Sequence, residues 1–135
     1  LCRNKTMKTY LGNFDSWKDV VNQFTGSTYD DVRSKSELKN HPKPEKVYIA
    51  KYDIDGYEGS AVVIWRDQGK YYYLLGSHCS CYGLEEAGFD PEIYDSKELL
   101  LEFLSRIKYI YGLSDEEFKY VVNKISKDKA TNSLT

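Results

Sequence analysis

Two turn signals lying close together fix most of what this chain can fold into. Asp55-Gly56 and Asp67-Gln68-Gly69 each fall between runs rich in β-branched and aromatic residues. Glycine adopts the positive φ that a tight hairpin requires, so each signal joins two adjacent antiparallel strands. Parallel neighbours would need a long crossover, for which no residues are left between these runs. The sequence therefore predicts a three-stranded antiparallel meander over residues 47–52, 59–66 and 70–75. The middle run, Ala61-Val62-Val63-Ile64-Trp65, is apolar on both sides of the pleat and reads as the central, most covered strand.

Helical periodicity flanks the meander. Trp17, Val20, Val21 and Phe24 recur at i, i+3, i+4 and i+7 behind Ser16 and Asp19, which have capping-box spacing, and Gly26 is a natural stop. Leu99, Leu100, Phe103, Leu104, Ile107 and Ile110 form a longer stripe behind Asp95 and Glu98, ending at Gly112. Ser114-Asp115-Glu116-Glu117 is a second capping box, ahead of Phe118, Val121, Val122 and Ile125. Helices are expected near residues 16–24 and 96–111, and again after 114. The fold class is α+β, a meander packed against helices as one layer pair. At 135 residues the chain makes one domain, expected over 7–127 with Met7 as the natural start, and with 1–6 and 128–135 as flexible ends. Residues 27–46 are polar, and Pro42 and Pro44 end whatever turn Val32 and Leu38 anchor.

Composition narrows the function classes. A net charge of −2 provides no basic field to recruit nucleic acid or an anionic membrane. No apolar run approaches the roughly 18 residues of a membrane helix, and the first six residues lack the apolar stretch of a signal peptide. Three cysteines, two of them only two residues apart, do not make a disulfide framework, so reduced thiols in a cytoplasm are expected. Tyr48, Tyr52, Tyr71 and Tyr73 could in principle stack nucleobases, but basic residues are not gathered beside them, and a packed sheet face fits better. Asp53-Ile54-Asp55-Gly56-Tyr57-Glu58 alternates acids like a calcium loop, yet Ile64 occupies the twelfth position where an EF-hand needs an acid.

Chemistry gathers at the end of the third strand, in Gly76-Ser77-His78-Cys79-Ser80-Cys81-Tyr82-Gly83-Leu84-Glu85. Three readings compete. His78, Cys79 and Cys81 could chelate zinc, with His41 as the remaining donor, although structural zinc wants four ligands and the usual Cys-x-x-Cys pairs are absent. A cysteine nucleophile would need a base, and sequence neighbours seldom point side chains at one another, which leaves only His41. The third reading makes Cys79 and Cys81 small buried residues that hold the turn shut, while Ser77, His78, Ser80, Tyr82 and Glu85 contact a ligand. This last reading needs no cofactor and is the one the residues favour.

The same ten residues carry a resemblance. They are similar to the G-S-H-C-S-C-Y-G-L-E segment of a family of small, uncharacterised proteins encoded by bacteriophages and prophages, in which it follows a strand of the type K-L-Y-E-V. Tyr57-Glu58-Gly59-Ser60-Ala61 resembles the preceding strand, and the likeness runs over roughly residues 47–102. Where family members read Glu-Gly-Gln-Trp, this chain has Glu86-Ala87-Gly88-Phe89. The resemblance implies expression in a bacterial host cytoplasm and action by binding a host protein or a small molecule, without chemistry of its own. The competing expectation is a small zinc- or thiol-dependent enzyme or zinc-binding module using His78, Cys79 and Cys81.

Overall fold

The computed structural model describes residues 8–26, 43–56, 58–79, 83–86 and 88–129. Its elements are β1 (Tyr10–Gly12), α1 (Trp17–Thr25), β2 (Lys46–Asp55), β3 (Glu58–Asp67), β4 (Lys70–His78), a 3-10 turn (Leu84–Glu86), β5 (Glu92–Tyr94), α2 (Lys97–Ile107) and α3 (Asp115–Lys127). The expected polar excursion falls mostly on residues 27–42, outside the described residues.

The meander is present as β2-β3-β4, antiparallel throughout, but it is the middle of a five-stranded sheet ordered β1-β2-β3-β4-β5. β1 adds parallel to β2, pairing Tyr10 with Ala50, and β5 adds antiparallel to β4, pairing Tyr71 with Tyr94. The β3–β4 hairpin closes through Gln68 at φ 51° and Gly69 at φ 78°. Two successive positive φ values give the turn whose twist matches that of the strands it joins.

Helices cover both faces of the sheet, so the expected single layer pair becomes three layers. On one face α1 packs Trp17, Val20, Val21 and Phe24 against Ala50, Tyr52, Ala61, Val63, Trp65 and Leu74. On the other, Leu100 and Leu104 of α2 with Val121 and Ile125 of α3 cover Ile49, Val62, Ile64, Tyr71 and Tyr73. Residues 61–65 of β3 are all buried, which is why that run is apolar on both sides. A bulge between Val47 and Ile49 turns Tyr48 and Ile49 toward the same layer, so strict alternation fails there. It also splits the tyrosine stripe: Tyr48, Tyr71 and Tyr73 lie under α2 and α3, while Tyr52 lies on the α1 face.

Capping differs in detail from the sequence pattern. Ser96, rather than Asp95, caps α2 by accepting from the Leu99 amide. That helix ends at Ile107, four residues before Tyr111, with Lys108 as its left-handed cap, and Leu99 is 47% exposed instead of joining the core. Ser114 and Glu117 do form the reciprocal capping box on α3. Asp128, the first residue of the expected flexible end, is tied down: its carboxylate accepts from the Tyr48 hydroxyl and from Arg66 Nε at 3.3 Å.

Candidate functional site

β4 delivers the Gly76–Cys79 part of the segment to one end of the sheet. His78 stands opposite Gly59 in the β3–β4 register, and both belong to the α1 side of the pleat. An imidazole can reach across β3 only because Gly59 has no side chain. A Cβ there would collide with His78 Nε2 and lie 2.9 Å from Cε1 of the Tyr52 ring. Through this gap His78 Nε2 meets the Tyr52 hydroxyl at 2.7 Å, while Nδ1 lies 3.0 Å from the Cys79 carbonyl oxygen. A carbonyl only accepts, so Nδ1 donates to the Cys79 carbonyl, and in the tautomer this selects Nε2 accepts from the Tyr52 hydroxyl. Both nitrogens are thereby occupied, and a metal or a substrate proton at His78 would have to displace one of these bonds.

Tyr52 is itself perturbed. Burial raises its hydroxyl pKa above the usual tyrosine value, and the negative charge of Glu85 adds to the shift. Glu85 reaches this neighbourhood from the 3-10 turn, lying against Gly26, the left-handed cap of α1, where a Cβ would stand 3.2 Å from its own Cβ. Leu84, fully buried, pins that turn beneath α1 beside Phe24 and Gly76. A Cβ at Gly76 would fall 2.6 Å from Phe24 Cε1, so the glycine opening the segment is required by packing.

On the opposite side of the same sheet end, the α2–α3 connection overhangs the strands. It places Tyr111 and Gly112 across from Ser60 and encloses a groove of about 560 Å³. Asp53, Asp55 and Glu58 form its acidic lip, and Ser60, Ser77, His78 and Cys79 line the remainder. A second hollow of about 270 Å³ continues from it over Ala61, Leu75 and Gly76 and shares Ser60, Ser77 and Tyr111. Leu75 is 49% and Tyr111 70% exposed, so this half of the groove is apolar and open. Lys51 partly offsets the acidic lip, contacting Asp53 at 3.5 Å and Glu117 at 2.7 Å.

The structure thus brings together Ser77, His78 and Cys79 at the groove and holds Glu85 near Tyr52 behind it. Ser80, Cys81 and Tyr82 lie outside the described residues, as does His41. The expectation that Cys79 is a small buried residue holding the turn shut is corrected: its thiol is free and exposed. The strand end needs no buried thiol there, because Leu84 and Phe24 already fill the space beneath it. Among the described residues no three of His, Cys, Asp and Glu converge on one point. Sequence reasoning missed Tyr52, Gly59, Ser60 and Tyr111 as site residues. The one available signal was a glycine inside a strand pattern, which often marks a close approach of another group.

A scan against protein-family models finds no match to this sequence, and searches of curated proteins and of solved structures find none either. Among the described residues no helix is long and apolar enough to cross a membrane.

Proposed function

We propose that the protein acts by binding, without catalysis, and that the groove at the Gly76–Glu85 end of the sheet is its contact site. The observation that carries this reading is the groove itself. A polar, acid-lipped cavity continues into an apolar, tyrosine-walled one at the end of a rigid strand. Ligand sites combine an apolar wall with a few fixed polar groups in this way. The Tyr52–His78 bond supports it from the other direction, since the imidazole serves to hold the strand end and its lone pair is already used. The resemblance to small phage and prophage proteins makes a host protein or small molecule in a bacterial cytoplasm the natural ligand, and the acidic lip favours one that presents cationic or N–H donor groups.

The test compares wild type with His78→Ala and Tyr82→Ala for folding and for capture of a partner from bacterial lysate. Folded variants with weakened capture support the reading, and folded variants with unchanged capture place the contact site elsewhere. One observation favours a second reading, in which the segment is a zinc- or thiol-dependent centre: the Cys79 thiol is exposed at the groove. Zinc co-purifying with the native protein, and lost from a folded Cys79→Ser variant, would establish that reading instead.

A further inference from the structure

At the far end of the sheet from the groove, the first residue of β2 meets the last turns of α3 around a separate cavity of about 270 Å³. Its lining is Lys46, Tyr120, Asn123, Lys124, Lys127 and Asp128. Three lysines therefore line one cavity in a chain whose net charge is −2. We infer that this cavity is a binding site for a small phosphate-bearing anion.

Lys124 is the most buried of the three lysines. Its Nζ contacts only neutral groups in the described structure: the Thr9 hydroxyl and the Tyr48 carbonyl, each at 3.3 Å, and the Tyr120 ring at 5.6 Å from its centroid. Burial pushes its pKa below the usual lysine value, and the charge of Lys46 pushes it further down. A partly desolvated ammonium beside a like charge is an unfavourable arrangement on its own. An anion entering the cavity offsets the cost of desolvation with opposite charge and screens the repulsion.

Asp128 does not fill that role. Its carboxylate is held by the Tyr48 hydroxyl and by Arg66, and its backbone carbonyl accepts from Lys97 Nζ at 2.9 Å. Arg66 is shared with Glu45 at 2.9 Å, so two acids face five cations here (Lys46, Arg66, Lys97, Lys124 and Lys127), and the corner stays positive. Compensation of the helix dipole accounts for Lys124 and Lys127 in the last turn of α3. It does not account for Lys46, which arrives from a strand and raises the repulsion. Lysines are compact point charges that suit a tetrahedral anion approached from several sides, and the neutral residues Asn123 and Tyr120 complete the lining. The small volume favours a phosphate group with little attached to it over a drug-sized ligand.

The experiment titrates the 135-residue protein with inorganic phosphate and with pyrophosphate at constant ionic strength, using chloride as the control salt and following amide and lysine side-chain resonances by NMR. The inference predicts saturable shifts at Asn123, Lys124 and Lys127, larger for pyrophosphate and absent with chloride. Lys46→Gln and Lys127→Gln, both at exposed positions on different elements, should each weaken binding by about fivefold or more, and Lys124→Gln by about tenfold. Equal shifts with chloride would overturn the inference, as would unchanged pyrophosphate affinity in folded Lys46→Gln and Lys127→Gln. Those two variants decide the matter even if Lys124→Gln fails to fold.

Discussion

Replacing Gly59 with alanine adds one methyl group where the Tyr52–His78 hydrogen bond crosses β3. Two effects oppose each other. Alanine restricts the unfolded chain, and because Gly59 does not have a positive φ, that entropic gain of about 0.4–1 kcal/mol is available. Against it stands overpacking. The new Cβ would overlap His78 Nε2 and sit 2.9 Å from Tyr52 Cε1. The imidazole can swing aside, but the Tyr52 ring is 3% exposed and packed 5.3 Å from the Phe14 ring, so it has no room to retreat. Overpacking of this kind costs about 1–3 kcal/mol. Displacing His78 forfeits a further 0.5–1.5 kcal/mol or so for the hydrogen bond. The net expectation is a destabilisation of roughly 0.5–4 kcal/mol, since the steric and hydrogen-bond losses outweigh the entropic gain. Urea unfolding followed by the fluorescence of Trp17 and Trp65, which stand 5.2 Å apart in the core, measures it directly. In a Tyr52→Phe background the same substitution should cost about 1 kcal/mol less, because the bond is already gone. A Gly59→Ala protein as stable as wild type would refute the reasoning, and so would an equal penalty in both backgrounds.

Three further outcomes follow from the packing and the charges. Leu104→Ala, at a fully buried position facing Ile64 and its neighbours in the core, should cost about 2–5 kcal/mol, and an unchanged urea midpoint would show that α2 does not cover the sheet. Asp128→Ala strands the hydroxyl of a tyrosine that is 1% exposed and should destabilise by about 1–3 kcal/mol, whereas a cost near zero would mean that the carboxylate does not anchor the end of α3. Burial alone would raise the Glu117 pKa, but hydrogen bonds and charge from Lys51, together with the Ser114 cap, hold it below its ordinary value of 4.5. A depressed carboxylate contributes stability that is present above its unfolded value and lost as pH falls through the folded one, so acid unfolding from pH 4.5 downward should be shallower in Glu117→Gln; parallel pH profiles would contradict this.

The parts of the fold that the sequence revealed are those in which a local pattern and a tertiary role coincide. Asp67-Gln68-Gly69 sits between two strand-forming runs and closes a hairpin there, and residues 61–65 are apolar on both sides because both faces are covered. That double coverage already implied a third layer, since one helix layer leaves one face of β3 in water. β1 and β5 were invisible because each is three residues long, below any measurable periodicity, and exists only through hydrogen bonds to β2 and β4. The bulge at Val47/Ile49 leaves no mark in composition, which is why Tyr48 and Tyr52 looked like one stripe. At the site, the strand ending and its donors were legible, but the partnership of His78 with Tyr52 joins residues 26 apart across an intervening strand. The acids at 53, 55 and 58 read as a hairpin, and a hairpin they are. Only the overhanging Tyr111-Gly112 loop makes them the lip of a groove.

The central claim is that the groove is where the protein makes contact, and the most direct measurement fills it. Ser77 is exposed, lines both halves of the groove and lies on a strand, where tryptophan is well tolerated. Quantitative capture from bacterial lysate by Ser77→Trp is compared with wild type and with Glu116→Trp, an exposed position on α3 outside the groove. With all three proteins folded, a tenfold or greater loss of capture confined to Ser77→Trp is the predicted result. Equal capture by Ser77→Trp and wild type would contradict it.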